Sequence, residues 1–249
     1  MARFFVFGSN VPRGGTIVLS GADAEHAKVL RLRVGDRIVV SDGAGTDRFC
    51  TIRGFSPEGG SAEVDEAVPN GAEPSVAVTV LAGLPKQGER SDYTVQKCTE
   101  CGAARIVFFV SHRCAVVKPT AAGLDRKVAR WQRIAGEAAK QSGRGTIPEV
   151  SAVGDFAGAL DIAVKTGLPL MLYETGERTP LKETLRRADM ETLKSAALIT
   201  GPEGGFEPFE AELARRLDIP LCSMGPRVLR CETAPVAALT ALMYETGNL

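Results

Sequence analysis

The stretch "LITGPEGGFEPFE", Leu198 to Glu210, joins three local patterns within one short segment. An apolar run of strand type ends in a turn with three glycines, and a helical pattern follows at once. A strand, a glycine-rich turn and a helix in this order are typical of a parallel sheet covered by helices. Glycine lets the backbone come close to a ligand at such a turn. The turn contains no lysine, however, and it carries the carboxylate of Glu203.

The same alternation extends through the chain from Ser75. "SVAVTVLAGL", residues 75–84, is a continuous apolar run, as expected of a strand buried on both faces. Helical patterns cover about Glu89–Cys101 and Leu124–Ser142. The other strand and helix patterns are "RIVFFVS", "PLMLYE", "TPLKETLRRAD", "AALIT", "EPFEAELARRL", "PLCSM" and a last helix from Glu232. The series predicts an α/β domain with a mostly parallel sheet, whose ligands bind at the carboxyl ends of the strands.

Residues 1–67 have a different pattern, with short strands separated by turns. The strand patterns are "RFFVF", "TIVLS", "DRIVVSDG", "DRFCTIRGF" and "SAEVDEAV". Their spacing predicts a small β-barrel. One helical piece interrupts it, "GADAEHAKVLRL", which Asp23 can cap and whose Ala24, Ala27 and Leu30 fall near one face. Residues 68–74 have the composition of a linker, so we expect domains at residues 1–70 and 74–249.

The charge is balanced over the chain but not along it. The 249 residues carry 30 basic and 30 acidic side chains, whereas residues 86–144 carry 12 basic and 5 acidic ones, a net charge of +7. A basic segment in a neutral chain indicates an anionic partner on one face, with a merely solvated face as the alternative.

Several classes of protein are not indicated. No apolar run approaches the length of a membrane span, and "MARFFVFGSN" lacks the apolar region of a signal peptide. Six dispersed cysteines predict reduced thiols and a cytoplasmic location. Cys98 and Cys101 form a C-x-x-C without a second ligand pair, and His26 lies far from His112, so we expect no metal site.

Three strand-end loops of the C-terminal half are candidates for chemistry. They are Tyr173–Gly176, Gly201–Gly205 and Met224–Pro226. The chain lacks both the P-loop and the dinucleotide fingerprint, and Glu203 would repel a pyrophosphate. S-adenosylmethionine suits such loops better, because its adenine pairs with backbone groups and its sulfonium is positive. A purely structural Gly-Pro turn is the alternative.

The third loop leads into "GPRVLRCETAPVAALTAL", residues 225–242, in which Arg227, Arg230 and Glu232 lie before or at a helix start. Glu232 suits the first turn of that helix electrostatically. Two arginines beside a glycine-rich crevice are costly unless they are paired or face an anion. Pairing with Glu232 or Glu203 is therefore the alternative to ligand binding.

These residues carry a resemblance to a known family. "LITGPEGGF" and the later "MGPRVLRCETA" closely resemble the signature of the RsmE-type 16S rRNA uridine N3-methyltransferases, which belong to the SPOUT class. "HAKVLRLRVGD" resembles the PUA-like barrel of that family, and "KQGERSDYTVQKCTECGAARIVFFVSHRC" and "WQRIAGEAAKQSGRGTIPEV" resemble its methylase domain. The resemblance covers nearly the whole chain. Cys101, Cys231 and Pro235 depart from the pattern without touching its glycines or its Arg-x-Leu-Arg core.

The resemblance implies a PUA-like β-barrel followed by a SPOUT α/β trefoil-knot domain, which pairs as a homodimer through the knot. It also implies S-adenosylmethionine as the cofactor. The cofactor pocket would then be lined by Leu172, Tyr173, Glu174, Thr200, Gly201, Pro202, Glu203, Gly204, Gly205, Met224, Gly225, Arg227, Val228 and Leu229.

The implied reaction requires uridine N3 to lose a proton before it attacks the methyl group. Arg230 is the candidate for stabilising the developing negative charge, and Glu232 either takes the proton or orients Arg230. 16S rRNA or the small subunit would lie across the basic residues Arg3, Arg31, Arg33, Lys97, Arg113, Lys118, Arg130 and Arg144. The alternatives are a related methylase acting on tRNA or on a ribose 2′-O, and a non-catalytic RNA-binding ribosome-assembly factor.

Overall fold

The computed structural model describes residues 1–56, 59–114 and 120–249. The chain divides into two compact units. The first comprises Met1–Glu73 and Ala139–Ile147, and the second comprises Pro74–Ala138 and Pro148–Leu249. None of the helices in the described ranges is long and apolar enough to cross a membrane.

The first unit is built on a sheet with the strand order β1-β3-β4-β5-β2 in its described part. Its elements are β1 (Ala2–Phe5), β2 (Thr16–Leu19), α1 (Gly21–Val29), β3 (Arg37–Ser41), β4 (Thr46–Ser56) and β5 (Gly59–Pro69). Strand β1 pairs with β3 in parallel, and the other pairs are antiparallel. Alternate residues of these strands, such as Ile17, Leu19 and Ile52, point into one buried cluster. All five predicted strands are confirmed.

The helix α1 differs from its prediction at both ends. Ser20, not Asp23, is the N-cap, and its side chain accepts a hydrogen bond from the Asp23 backbone N–H. Ala24 and Ala27 are buried as predicted, but Leu30 is 45% exposed. Leu30 lies at the C-cap, where the chain leaves the helical path, so it does not continue the buried face.

The second unit holds a larger sheet with the order β10-β12-β9-β11-β6-β7-β8 in the described ranges. Its strands are β6 (Ala77–Gly83), β7 (Arg105–Phe109), β8 (Glu149–Val153), β9 (Leu168–Leu172), β10 (Thr179–Pro180), β11 (Ser195–Thr200) and β12 (Leu221–Ser223). Its helices are α2 (Gly88–Glu100), α3 (Ala121–Ser142), which crosses the division at Ala138, α4 (Phe156–Ala163), α5 (Leu181–Arg187), α6 (Pro208–Arg216) and α7 (Thr233–Glu245). All of its strand pairs are parallel. Strands β8 and β10 and helix α4 were not predicted.

Helices cover both faces of this sheet, as predicted. Neighbouring residues of a strand point to opposite faces, and Phe108 and Phe109 of β7 show this directly. The Phe108 ring packs on Trp131 of α3 with centroids 4.3 Å apart, whereas Phe109 packs on Phe156 of α4 at 5.6 Å. Because the strands are parallel, the loops that follow the adjacent strands β12, β9, β11 and β6 lie at one edge of the sheet.

Candidate active site

A cavity of about 460 Å³ opens at this edge of the second unit. Its walls come from the loops that follow β9, β11 and β12, from Arg90 in the first turn of α2 and from Ala234 at the start of α7. It is lined by Arg90, Leu172, Tyr173, Glu174, Arg178, Thr200, Gly201, Pro202, Glu203, Gly205, Cys222, Ser223, Met224, Gly225, Pro226, Arg227, Val228, Leu229, Arg230, Cys231 and Ala234. The volume is that of a pocket for a small-molecule ligand or cofactor.

The sequence-predicted cofactor residues converge on this cavity, and Gly204 alone among them is not part of its lining. The Gly204 carbonyl instead accepts a hydrogen bond from Arg113 Nη1 at 3.1 Å. Of the two predicted catalytic residues, Arg230 lines the cavity and Glu232 does not.

The glycines of the site allow close approaches between loops. A Cβ added to Gly83, at the end of β6, would lie 2.5 Å from both Cδ and the backbone nitrogen of Pro202. Gly205 has a φ of +68°, a backbone conformation that residues with a side chain rarely adopt. A Cβ there would also collide with the Glu174 carboxylate. Backbone therefore forms much of the wall, as the glycine-rich turn predicts.

Glu203 is not a free carboxylate. It accepts hydrogen bonds from the Lys86 backbone N–H at 3.0 and 3.3 Å. Its Oε1 also lies 3.3 Å from Arg90 Nη1 in an ion pair. Glu203 thus ties the loop after β11 to the loop after β6 and to the first turn of α2.

Arg90 is the main residue that the sequence analysis missed. It follows "GLPKQGE", a fourth strand-end loop next to the apolar run of β6. β6 pairs with β11 in register, Ala82 opposite Thr200, so the two loops are neighbours. The rule that ligands bind at the carboxyl ends of strands would have included this loop, had the strand order been known.

The same arginine reaches the start of α7. Arg90 Nη1 lies 3.8 Å from Cys231 Sγ and 4.0 Å from Glu232 Oε2, and the Cys231 thiol donates to Glu232 Oε2 at 3.2 Å. Burial, together with the hydrogen bond to Glu232, raises the pKa of Cys231 to about 11, so the thiol is neutral. Burial acts to raise the pKa of Glu232 as well. The hydrogen bonds from its own backbone and from Cys231, with the charges of Arg90 and Arg230, nevertheless hold it below the usual value.

In the described chain, the remaining cavity arginines form no close ion pair with these carboxylates, although the charge of Arg230 lowers the pKa of Glu232. In the described part of the chain, neither Arg227 nor Arg230 forms an ion pair, so the expected alternative of pairing with Glu203 or Glu232 is not what the structure contains. Arg178, also missed by the sequence analysis, donates from Nη1 to the Gly176 carbonyl at 2.9 Å. The cavity thus presents unpaired positive charge near the start of α7.

A cluster of charged side chains from the segment after β7 and the start of α6 also contacts the glycine turn. Arg113 donates to both carboxylate oxygens of Glu207, at 2.9 and 3.1 Å, in addition to its bond with the Gly204 carbonyl. Glu207 and Glu210 form a capping box at the start of α6. Glu210, which is buried, also accepts from the His112 backbone N–H at 3.0 Å. The segment after β7 is thereby fixed to the turn at Gly204.

The predicted RNA-binding residues are in unlike environments. Arg144 is buried and paired with Glu73, and Arg3 is mostly buried and paired with Asp47. Both charges are neutralised inside the first unit, which gives these two residues a structural role rather than an exposed cationic one.

The other predicted residues are more accessible. Lys97, Arg113 and Arg130 are paired with Glu100, Glu207 and Asp92, while Arg31 and Arg33 are exposed and, within the described residues, form no ion pair. Lys118 lies outside the described residues.

Comparison with known proteins identifies the family. The model of an RNA methyltransferase domain matches residues 72–243, and that of an RNA methyltransferase PUA domain matches residues 19–63. The ribosomal RNA small subunit methyltransferase E of Bacillus subtilis is 31% identical over all of this chain and 98% of its own length. The chain belongs to the RsmE family of RNA methyltransferases.

Solved structures of similar proteins agree with this assignment. The ribosomal RNA small subunit methyltransferase E of Neisseria gonorrhoeae, bound to S-adenosyl methionine, matches with a TM-score of 0.85. It is 28% identical and covers 98% of this chain and 97% of its own. A methyltransferase of Legionella pneumophila in complex with the same cofactor matches with a TM-score of 0.83, also at 28% identity, 98% of this chain and 97% of its own. The fold of this RsmE-family chain is therefore a PUA-like domain joined to an α/β methyltransferase domain.

Proposed function

We propose that this RsmE-family protein transfers a methyl group from S-adenosylmethionine to N3 of a uridine in small-subunit ribosomal RNA. The observation that carries the proposal is the cavity at the strand ends, lined by the two motifs in which the chain resembles the family. Full-length similarity to relatives named for ribosomal RNA methylation supports the same substrate class.

The residues of the cavity fit this cofactor. Backbone of the loops at Thr200–Gly205 and Met224–Leu229 offers donors and acceptors for the adenine edge and the ribose. Within the described residues Glu174 makes no ion pair, so its carboxylate can face a cationic group of the cofactor, whereas Glu203 is engaged by Arg90. The bound cofactor supplies a methyl group on a positively charged sulfur.

We assign to Arg230 the stabilisation of the negative charge that develops on the uracil ring, which is the nucleophile. Loss of the N3 proton places negative charge on the uracil ring, and a cation at the ring edge stabilises that charge. Arg230 lines the cavity and has no competing ion pair among the described residues. It is therefore available to a substrate base.

In this proposal Glu232 positions the side chains around it and does not accept the N3 proton. Its lowered pKa makes it a weak base near neutral pH, and it is not part of the cavity wall. It instead accepts from the Cys231 thiol and lies near Arg90. We therefore assign the N3 proton to solvent and the charge stabilisation to Arg230.

Within the described residues, the cations proposed to contact RNA are free of ion pairs in the first unit and paired in the second. Arg31 and Arg33 can meet phosphates directly, whereas Arg113 and Arg130 exchange Glu207 and Asp92 for phosphate at the interface. Such binding releases counterions, so affinity for 16S rRNA should fall steeply with salt. A flat salt profile would contradict a phosphate-dominated interface.

The trefoil knot, the homodimer through the knot domain and a cytoplasmic location belong to the same proposal. They rest on family membership and on the ribosomal substrate. Light scattering coupled to size-exclusion chromatography tests the dimer: a mass of twice the chain's 26.3 kDa is expected, and a mass of 26.3 kDa would contradict it.

The decisive experiment is methylation of 16S rRNA from a strain that lacks the modification, with mass mapping of the product base. A single methylated uridine, resistant to pairing at N3, is expected. Methylation of tRNA or of a ribose oxygen would indicate the related alternative. Calorimetry with S-adenosylmethionine separates the enzyme from a non-catalytic RNA-binding assembly factor, which would show no binding of the cofactor.

A further inference from the structure

Five helices of the described chain end in the same hydrogen-bonded turn. The residue after the C-cap takes a left-handed conformation, and the next residue donates its N–H to a carbonyl five positions earlier. At α2, α3 and α7 the left-handed residue is Gly102, Gly143 or Gly247, with φ between +69° and +91°. Glycine is the usual residue there because it has no Cβ to collide with the backbone.

The two other helices place a side chain in this conformation. Arg31 after α1 has a φ of 58°, and Asp218 after α6 has a φ of 56°. These are the two non-glycine residues with positive φ among those that the structure describes. The turns are otherwise alike, because the N–H of the following residue, Leu32 or Ile219, donates at 3.0 Å in both. Aspartate tolerates this conformation better than most residues, because its short polar side chain can form local hydrogen bonds. The long side chain of arginine does not have this advantage.

The rest of the fold imposes the conformation on Arg31. Leu32 packs against the buried cluster of the first unit, and Ala27, whose carbonyl Leu32 contacts, is fully buried. The following turn is fixed by hydrogen bonds from the Gly35 N–H to Ile52 and from the Arg33 N–H to the Asp36 carboxylate. Strain at one residue persists where its surroundings determine the backbone in this way, and it is concentrated at functional positions.

The side chains of this turn face solvent. Arg31, Arg33 and Arg37 are exposed, and none forms an ion pair within the described ranges. Arg48 and Arg53 of the same unit are by contrast paired with carboxylates. The carboxylate of Asp36 is held by the backbone of Arg33.

Apolar side chains flank this cationic turn. Val29 and Val34 are 77% and 60% exposed. The turn from Arg31 to Arg37 therefore presents a net positive charge, three arginines against Asp36, on a backbone fixed by hydrogen bonds, which is the chemistry that fits a phosphate chain.

We infer that the turn Arg31–Arg37 binds phosphate groups of the RNA, and that arginine occupies the place of glycine at position 31 because its guanidinium contacts one of them. The inference rests on the proposed function for the identity of the RNA. It goes further in stating that position 31 is unfavourable for folding and is occupied for binding.

The test is the substitution Arg31→Gly, with 16S rRNA binding measured in the absence of S-adenosylmethionine. RNA affinity should fall roughly fivefold to tenfold, and the slope of log Kd against log salt should decrease by about 0.7 to 0.9, as for one lost phosphate contact. The melting temperature should stay unchanged or rise, because relief of the strained conformation offsets the added freedom of glycine in the unfolded chain. Arg31→Lys, which keeps the charge, should retain most of the slope.

Matched controls exist in α6. Asp218→Gly relieves the same backbone conformation at the end of another helix and should leave the salt slope unchanged. Arg216→Gln removes one positive charge from a side chain that is 71% exposed and should leave RNA affinity nearly unchanged. An unchanged RNA affinity in Arg31→Gly, or a melting temperature that falls by several degrees, would overturn the inference.

Failure of this inference is distinguishable from failure of the proposed function. RNA binding is measured here without methyl transfer, and calorimetry on the same Arg31→Gly protein should give the S-adenosylmethionine affinity of the wild type. Loss of RNA affinity without any methylation activity in the wild type would leave the binding turn standing and reject the enzyme.

Discussion

Arg90 Nη1 lies 3.3 Å from Oε1 of Glu203, so an arginine from the start of α2 neutralises the one carboxylate of the glycine turn. The same guanidinium lies near Cys231 and Glu232. Arg90 therefore lies between two carboxylates, one from the glycine turn that lines the cavity and one at the N-cap of α7. Its charge helps to hold the pKa of Glu232 below the usual value.

Substitution of Arg90 by Gln should lower the single-turnover rate by about 10- to 100-fold, since the misplacement of neighbouring groups is costly in catalysis. Because Arg90 helps to hold the pKa of Glu232 below the usual 4.5, the loss should also grow as the pH falls towards 4.5. Arg90→Lys should recover part of the rate. A pH profile of the rate that runs parallel to that of the wild type would show that Arg90 has only a structural role and does not act through the pKa of Glu232.

The parts of the site that lie in one linear motif were predictable from the sequence. The missed residues are those whose position depends on the order of strands in the sheet. Gly201–Gly205 and Met224–Pro226 were found because glycine turns after apolar runs identify strand ends, and the family resemblance extended the second loop to Leu229. Arg90 was missed because its place at the cavity depends on β6 lying beside β11, and strand order is a property of the whole sheet.

The cationic surface was less predictable for a related reason. A count of charges cannot separate Arg144, buried against Glu73, from Arg31, exposed and unpaired among described residues. The partner of Arg144 lies far away in sequence, and only the fold brings the two together. The barrel strands, in contrast, follow from alternation within short segments, and all five were predicted.

Substitutions of Arg230 and Arg227 should separate an effect on the rate of methyl transfer from an effect on cofactor binding. Both line the cavity and both lack an ion pair in the described chain. Arg230→Ala should lower the single-turnover rate by about 10²- to 10³-fold with little change in the Kd of S-adenosylmethionine, as for the loss of a charge-stabilising donor. Arg227→Ala should mainly raise that Kd. An unaltered rate in Arg230→Ala would exclude it from the chemistry.

Gly83→Ala should disrupt the contact between the ends of β6 and β11. The new methyl group would lie 2.5 Å from the Pro202 backbone nitrogen, which cannot move without the turn. We expect a loss of stability of roughly 1 to 3 kcal/mol by overpacking and a raised Kd for S-adenosylmethionine in calorimetry.

Gly88→Ala is the control for this substitution. It lies in the same segment, at the start of α2, and an added Cβ there has open space. It should be neutral or stabilising, because alanine suits a helix better than glycine. Similar losses of affinity in both variants would show that the Gly83 effect is not steric.

Glu73 should make the stability of the first unit depend on pH. It accepts hydrogen bonds from Arg144, from the Gly145 and Thr146 backbone, and from the Thr146 hydroxyl. Burial acts to raise its pKa, but Arg144 and Thr146 outweigh burial and hold the pKa below the usual 4.5. Since the pKa is lower in the folded state, the stabilisation is complete above pH 4.5 and is lost as the pH falls through the folded-state value.

Glu73→Gln removes this stabilisation, because it takes away the carboxylate that pairs with the buried Arg144. At pH 7 the free energy of unfolding, measured with urea, should decrease by about 2 to 4 kcal/mol. The difference from the wild type should shrink as the pH is lowered below 4.5. Glu63→Gln, at an exposed pair with Arg53, should cost less than about 1 kcal/mol at pH 7. A deficit in Glu73→Gln that stays constant down to pH 3 would show that packing, and not the charge, stabilises this turn.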